Sequence, residues 1–533
     1  MKTYDFVIVG AGTAGCVLAY RLAQHPNSRV LVLEAGGKDS KREIKIPAAF
    51  SKLFKSDVDW AFFTEPESEL NGRQLYWPRG KTLGGCSSIN AMIYIRGHRQ
   101  DYDDWRDAGL AGWGYDDLLP LFKASEANSR GASQWHGADG PLAVSDQLCP
   151  NELSLKFVEA CGEAGIRSNV DFNGPEQEGA GLYQVNQRKG QRCSAADAFL
   201  KPAMLTGRVD VETGAHVTRI RMERGCAIAV DYYKEGVRKT VAPHHEVILA
   251  AGAIQSPQIL MLSGIGPADH LREHGIDVVL DVQDVGANLQ DHLACGVMYH
   301  CSRNCTLDSA ETLANIARYA TGKSGPLTSN VAEGGAFVRS GDAVAIPDLQ
   351  LFFGTAFFVR HGFVRPKGPG FSFGVVLLRP ESRGTIRLNS ADPNTPARIR
   401  ANYLTRGSDR DIMLAGLKLA RQIANASAFS VYRGAEYLPG ESAKDDSALL
   451  AHLREWSETM YHPVGTCRMG TDAGAVVDPQ LRVRGVKGLR VVDASVMPTL
   501  IGGNTNAPTM VIAEKAATMM IERGDGAAAA ERR

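Results

Sequence analysis

The stretch DFVIVGAGTAGCVLAYRLAQHPNSRVLVLEAG, residues 5–36, decides the fold of this chain. An apolar run ends in a G-x-G-x-x-G motif that begins at Gly10, and a helical pattern of apolar residues follows. A second apolar run then ends at Glu34. The pattern predicts a strand, a glycine turn, a helix and a second strand with an acid at its tip. This is the order of elements in a Rossmann-type dinucleotide-binding unit.

Each part of this unit has a role in holding a dinucleotide. Gly10 permits the tight turn, Gly12 lets a pyrophosphate approach the backbone, and Gly15 lets the helix pack on the strand. The free N–H groups at the start of the helix then face the phosphates. Glu34 can accept both hydroxyls of an adenosine ribose and would repel the 2′-phosphate of NADP. NAD and FAD both remain open on this evidence.

Composition limits the class of protein. A chain of 533 residues exceeds what one hydrophobic core usually supports, so we expect two domains. Lys plus Arg equals Asp plus Glu at 59 each, and this balance argues against a nucleic-acid partner. No apolar stretch approaches the roughly 18 residues of a membrane span. The ten cysteines have no zinc-like spacing, so we expect reduced thiols, no metal site and a cytoplasmic location.

The order of the patterns predicts that one domain is inserted into another. The C-terminal segment returns to a Rossmann-like strand and helix, whereas the middle alternates turn residues with short aromatic and β-branched runs. We therefore expect an α/β Rossmann-type cofactor domain with an inserted α+β substrate domain that contains an antiparallel sheet. The expected cofactor domain comprises residues 1–155, 196–300 and 458–533. The expected substrate domain comprises residues 156–195 and 301–457.

Four stretches of the chain together resemble a known family. They are GAGTAG at residues 10–15 with Glu34, PRGKTLGGCSSIN at 78–90, GAIQSPQILMLSGIGP at 252–267, and the C-terminal pair YHPVGT at 461–466 and GGNTNAPT at 502–509. In their residues and in their order along the chain they resemble motifs of the glucose–methanol–choline (GMC) family of FAD-dependent oxidoreductases, and within it those of the bacterial choline-dehydrogenase-like proteins. The resemblance implies FAD rather than NAD, and oxidation of an alcohol, expected to be primary, to the aldehyde.

The resemblance also implies which residues hold the cofactor. Those expected beside FAD are Gly12, Thr13 and Ala14 at the pyrophosphate, Glu34 and Ala35 at the ribose, Val217 at the adenine, Gly84, Gly85, Asn90 and Ala91 at the flavin, and Asp493, Ala494, Thr505 and Asn506 over the phosphate and ring. Members with covalent flavin carry a histidine just before the asparagine of the GGCSSxN motif. This chain has Ile89 there, so we expect FAD to be bound without a covalent link.

The same resemblance indicates a catalytic pair. Alcohol oxidation by a flavin needs a group that takes the hydroxyl proton, and histidine suits this role near pH 7. The resemblance places His462 of YHPVGT at the flavin face as that base. Asn506 matches a position where family members carry histidine or asparagine, and it would donate to the substrate oxygen or cap the helix expected near Pro508. His292 in NLQDH is the alternative base.

The substrate and the electron acceptor stay open at this point. Five phenylalanines could line an aromatic pocket or pack the core: Phe352, Phe353, Phe357, Phe358 and Phe363. Glu333 is a candidate partner for a choline-type cation. The acceptor could be oxygen or a quinone-type compound. Two alternatives to alcohol oxidation are non-redox (lyase) or light-driven chemistry at the same flavin site, and a non-catalytic flavin-binding electron carrier.

Overall fold

A computed structural model describes residues 3–530 of the chain, with side chains through residue 522. Residues 1–2 and 531–533 of the expected cofactor domain lie outside this described part. Two large sheets dominate the fold, and side chains from both belong to one continuous apolar cluster. No helix among the described residues has both the length and the apolar character needed to cross a bilayer.

The first sheet has five strands, all parallel to their neighbours. In spatial order they are Val209–Thr213, Val30–Glu34, Tyr4–Val9, Pro243–Leu249 and Leu489–Val491. The strands Val30–Glu34 and Leu489–Val491 are buried along their whole length, and Tyr4–Val9 and Pro243–Leu249 are buried at their carboxyl ends. Ligands of such sheets bind outside the carboxyl ends of the strands, where Gly10 and Glu34 both lie. The expected Rossmann-type domain is confirmed.

The second sheet is antiparallel and has seven strands. Its main path is Arg433–Leu438, Leu293–Cys301, Gly370–Leu377, Leu349–Gly354, Ala332–Val338 and Gly179–Leu182, and Glu458–Thr459 pairs with Leu293–Cys301. The expected α+β domain is therefore confirmed. The expected division of the chain at residues 300 and 301 needs correction, because the strand Leu293–Cys301 lies inside this sheet. The alternating burial of that strand begins at Leu293, before the change in composition on which the division was based.

Helices cover the two sheets. Their bounds are Thr13–Leu22, Arg42–Lys45, Arg99–Asp107, Tyr115–Ser125, Glu152–Glu163, Lys201–Leu205, Gly252–Leu262, Ala268–Glu273, Leu313–Gly322, Gly407–Ala424, Asp446–Trp456 and Asn506–Ala530. The first and last of these pack against each other and so join the two ends of the chain. The long helix Gly407–Ala424 packs closely on the antiparallel sheet, since a Cβ added at Gly416 would lie 2.4 Å from Val375 Cγ1.

The remaining strands are short or peripheral. His216–Glu223, Cys226–Lys234 and Val237–Val241 form a three-stranded antiparallel sheet. Five two-stranded pairs complete the inventory: Phe62–Phe63 with Tyr76–Trp77, Glu126–Asn128 with Leu142–Val144, Gln187–Arg188 with Gln191–Arg192, Ile265–Gly266 with Leu280–Asp281, and Thr385–Arg387 with Arg398–Arg400. The first strand of the three-stranded sheet carries Val217 to the cofactor side of the molecule.

Candidate active site

A cavity with a volume of about 370 Å³ is lined by residues of both large sheets. Its wall includes most of the residues expected beside a cofactor: Gly10, Gly12, Thr13, Ala14, Glu34, Ala35, Gly85, Asn90, Ala91, Val217, Asp493, Ala494, Thr505 and Asn506. The same wall contains His462. One cavity therefore connects the dinucleotide motif with the residue expected to act as the base.

The glycine turn after the first strand has the close contacts that the motif predicts. Gly10 has a φ of 103°, and a Cβ there would lie 2.6 Å from Ala250 O. A Cβ at Gly15 would lie 2.0 Å from Gly10 O, so the first helix can approach the strand only with glycine at that place. Gly15 is therefore a packing residue and not part of the cavity wall. Gly12 keeps the wall open because nothing closer than 3.9 Å would meet its Cβ.

The second glycine pair lies directly on this turn. Gly84 N–H donates to Ala11 O at 2.8 Å, and a Cβ at Gly85 would lie 2.7 Å from Gly12 Cα. Both glycines have positive φ, of 86° and 52°. Gly84 supports the turn from behind, whereas Gly85 is part of the cavity wall.

Glu34 is held by the backbone at the tip of the second strand. Ala11 N–H donates to its Oε2 at 2.8 Å and Gly36 N–H donates to its Oε1 at 2.7 Å. Burial raises the pKa of the Glu34 carboxyl to about 7, although the two N–H donors oppose this shift. Each carboxylate oxygen keeps a second lone pair, and the residue lines the cavity. Glu34 can therefore accept two ribose hydroxyls.

Ile89 and Asn90, from the glycine-rich motif at residues 78–90, also line the cavity. The Ile89 side chain is a hydrocarbon and offers no atom for a covalent bond to a flavin. Asn90 Oδ1 accepts from Met92 N–H at 2.9 Å and from Arg192 Nη1 at 2.8 Å. These two bonds hold the Asn90 amide in one orientation beside the cavity.

Asp493 lines the cavity, but its carboxylate is already satisfied. Gly252 N–H donates to its Oδ2 at 2.8 Å, Ser256 Oγ donates to the same atom at 2.5 Å, and Ser495 N–H donates to Oδ1 at 2.8 Å. The carboxylate therefore joins the start of the helix Gly252–Leu262 to the turn after Leu489–Val491. Asp493 shapes the wall at the phosphate end through these bonds.

His462 enters the cavity from a strained turn. The preceding residue, Tyr461, has a backbone φ of 69°. This left-handed conformation is unusual for any residue other than glycine. The backbone N–H of His462 donates to Asp291 Oδ1 at 2.7 Å. Asp291 is itself held by Thr459 Oγ1 at 2.6 Å and by the hydroxyl of Tyr403. This network fixes the backbone that carries the imidazole.

His292 lies directly behind His462. The two Nδ1 atoms are 2.9 Å apart, the rings meet edge to face at 88°, and His292 Nε2 is 3.1 Å from Leu378 O. Burial lowers the pKa of His292 to about 3. Burial, the neighbouring His292 and the charge of Arg79 hold the pKa of His462 well below its usual range. Both imidazoles are therefore neutral near pH 7.

Asn504 lies beside His462, and Asn506 lines the same cavity, so the expected pairing of His462 with Asn506 stays a prediction. Asn504 Nδ2 lies 3.3 Å from His462 Nε2, and Asn504 Oδ1 accepts from Gln350 Nε2 at 3.4 Å. Asn506 Oδ1 instead accepts from Thr13 Oγ1 at 2.8 Å, at the dinucleotide motif. The last helix begins at Asn506, two residues before Pro508, so the Asn506 side chain belongs to the first helical turn.

The phenylalanines and the glutamate that the sequence suggested for a substrate pocket lie partly in the cavity wall and partly in the protein core. Phe352 and Phe358 line the cavity, whereas Phe353 stacks on Phe157 at 5.0 Å in the core. Phe357 and Phe363 are not part of the wall either. Glu333 is fully buried and accepts hydrogen bonds from Asn151 N–H, Ser154 Oγ and Ser329 Oγ at 2.5–2.7 Å. Glu333 is therefore structural and cannot serve as the partner of a substrate cation.

Comparison with known proteins agrees with the fold and the cavity. Residues 4–294 and 380–513 match the two sequence profiles described as GMC oxidoreductase. The chain belongs to the GMC oxidoreductase family. This GMC oxidoreductase is 46% identical to "Alcohol dehydrogenase [acceptor]" of Pseudomonas putida, with 98% of this chain and 96% of the relative covered. It is 42% identical to mitochondrial choline dehydrogenase of Homo sapiens, with 97% and 89% covered.

Solved structures of similar fold are also flavoenzymes of this family. Pyridoxine 4-oxidase from Mesorbium loti superimposes with a TM-score of 0.89 at 34% identity, covering 97% of this chain and 99% of that one. Formate oxidase from Aspergillus oryzae RIB40, described with its FAD, superimposes with a TM-score of 0.93 at 29% identity and covers 98% and 99%. The expected GMC membership, the FAD cofactor and the class of FAD-dependent alcohol oxidoreductase are confirmed.

Proposed function

We propose that this GMC oxidoreductase oxidises a primary alcohol to the aldehyde, with His462 as the base that takes the hydroxyl proton. The observation that carries the proposal is the position of His462 Nε2, which faces the cavity 3.3 Å from Asn504 Nδ2. A base and a hydrogen-bond donor side by side can bind one hydroxyl group between them. The relatives named alcohol dehydrogenase and choline dehydrogenase act on substrates of this type.

Hydrogen bonding behind His462 supports the role of Nε2 as the free base. A backbone carbonyl can only accept, so His292 Nε2 must carry a proton to donate to Leu378 O. Neutral His292 then has a bare Nδ1, which accepts from a protonated His462 Nδ1. The remaining nitrogen of neutral His462, Nε2, is left unprotonated and faces the cavity. His292 thus acts as a positioning residue that sets the tautomer of His462.

Burial supports the same assignment. A lowered pKa keeps His462 in its neutral form, and only that form can accept a proton. Asn504 donates to the substrate oxygen while the negative charge on that oxygen grows, and Gln350 holds the Asn504 amide so that its Nδ2 points at the site. Bound FAD would supply the acceptor for the hydride, with its two electrons, that leaves the alcohol carbon. The hydroxyl proton ends on His462 Nε2, and the substrate leaves as the aldehyde.

The residues of the dinucleotide end support non-covalent FAD binding. Gly12 leaves the backbone open to the pyrophosphate, Glu34 offers two acceptor atoms to the ribose, and Ile89 offers no linking atom. We propose that the natural electron acceptor is oxygen or a quinone-type compound. The cytoplasmic location expected from the cysteine pattern stays a prediction.

The test is anaerobic reduction of the bound flavin by a panel of primary alcohols. We expect bleaching of the flavin absorbance near 450 nm with at least one alcohol, and no bleaching with the matching alkane. His462→Ala should keep its FAD and lose about 10²–10⁴-fold in reduction rate. Near-wild-type reduction by His462→Ala would refute the proposed base. An intact flavin after every alcohol would favour the lyase, light-driven or electron-carrier alternatives.

A further inference from the structure

We propose that the substrate is an uncharged alcohol with an apolar carbon chain, and not a choline-type cation. This inference rests on the proposed alcohol oxidation and concerns the part of the cavity that would hold the rest of the substrate. It follows from the apolar composition of that wall and from the hydrogen-bond partners of the carboxylates in it.

The cavity wall near His462 is largely apolar and aromatic. The side chains concerned are Phe50, Phe54, Met298, Val331, Phe352 and Phe358. Four of them belong to an apolar cluster that also contains Ile89 and Tyr461, and this cluster therefore reaches the flavin region and the catalytic turn. A hydrocarbon chain attached to a hydroxyl at His462 would lose its contact with water against these side chains.

Among the described residues that line the cavity, three are carboxylates, and none is free to pair with a substrate cation. Glu34 lies at the opposite, dinucleotide end, and Asp493 accepts three hydrogen bonds from the protein. The third, Glu458, lies closer to the catalytic turn, four residues before His462 in the chain.

Glu458 already has three polar partners. Arg360 Nη1 lies 2.7 Å from its Oε1, Arg73 Nη1 lies 3.3 Å from the same atom, and His361 Nε2 lies 3.1 Å from its Oε2. These contacts hold the pKa of Glu458 below its usual range although burial opposes the shift. A carboxylate that two guanidinium groups and an imidazole already occupy has little capacity left for a quaternary ammonium group.

Arg79 adds a positive charge to the cavity wall at the catalytic end. Arg79 lines the cavity, and its guanidinium donates to Pro78 O and Tyr461 O, which are carbonyls and not carboxylates. Its charge is one cause of the lowered pKa of His462, and the same field would repel a substrate cation. Aromatic faces attract a buried cation, but they recover only part of its lost hydration when no counter-charge is present.

Two alcohols of nearly equal shape test the proposal. Choline and 3,3-dimethylbutan-1-ol differ chiefly in having a charged nitrogen or a neutral carbon at the branch. We expect the neutral alcohol to reduce the flavin of the FAD-loaded enzyme with a second-order rate constant at least about 100-fold higher, measured by anaerobic stopped flow. Equal rate constants, or a higher one for choline, would overturn the proposal. If neither these two nor any linear alcohol reduces the flavin, the proposed function itself fails.

A series of linear primary alcohols tests the apolar wall. We expect the second-order rate constant to rise about fourfold per added methylene until the chain fills the cavity. A flat series would contradict the apolar site. Phe358→Gln and Phe358→Leu form a matched pair at a half-buried position of the wall. The dependence on chain length should weaken in Phe358→Gln and persist in Phe358→Leu, and equal slopes would remove Phe358 from the proposed pocket.

Discussion

The two asparagines at the start of the last helix give the sharpest test of the site. Asn504→Ala removes the donor that lies beside His462 Nε2, and one such donor to a developing negative charge is worth about 10²–10³-fold in rate. Asn506→Ala removes one hydrogen bond to Thr13 Oγ1, which contributes about 0.5–1.5 kcal/mol. That is roughly two- to tenfold in FAD affinity, because Thr13 lies at the dinucleotide motif. The two variants should therefore separate rate from cofactor binding.

Two measurements on each variant check this separation. The limiting rate of anaerobic flavin reduction at saturating alcohol reports the first effect, and titration of FAD into the apoprotein reports the second. Each asparagine is the other's control, since both substitutions remove the same amide within three residues of chain. The donor assignment is wrong if Asn506→Ala slows flavin reduction as much as Asn504→Ala does.

Further predictions concern the remaining parts of the site. His292→Leu should retain FAD yet slow flavin reduction roughly 5- to 150-fold, because His462 Nδ1–H loses its buried acceptor; an unchanged rate would exclude His292 as a positioning residue. Because the pKa of His462 is held well below 6.5, the reduction rate of the wild type should stay level from about pH 9 to about pH 6 and fall only below that; a midpoint at 6.5 or higher would contradict the burial of the base. Glu34→Gln can accept only one of the two backbone N–H groups that the carboxylate satisfies, so FAD affinity should fall about tenfold or more, and full retention of FAD on dilution would argue against the ribose contact. Acid precipitation should release the flavin into the supernatant because Ile89 offers no linking atom, and a yellow pellet would point to another linking residue.

The cofactor domain was predictable because its determinants are local. Strand, turn, helix and acid follow one another within residues 5–36. The backbone comes so close to Gly10 and Gly15 that a Cβ at either position would clash. Gly15 is an example, since its close neighbour, Gly10 O, belongs to the same motif. The fifth strand, Leu489–Val491, was also readable, because a short apolar run ending in Asp493 repeats the strand-to-turn pattern.

The sequence pattern could not show that Asn504 lies beside His462 while Asn506 contacts Thr13. Both asparagines belong to GGNTN, and which one faces the base depends on the residue at which the helix begins. The proline at position 508 suggested a start near that residue, yet proline is tolerated throughout the first helical turn, so the helix can begin two residues earlier. With this start, Asn506 is in the first helical turn and its Oδ1 accepts from Thr13 Oγ1 at 2.8 Å.

The function of His292 depends on contacts among three distant segments. His292 follows Asp291 in sequence, and that neighbouring acid suggested a catalytic histidine in its own right. In the fold, Asp291 holds the backbone of His462, while His292 links Leu378 O to His462 Nδ1. Neither role can be derived from spacing, because residues 292, 378 and 462 meet only after the antiparallel sheet has formed. The pair Asp291 and His292 thus fixes both the position and the tautomer of one imidazole, so that the free nitrogen of His462 faces the substrate before any alcohol binds.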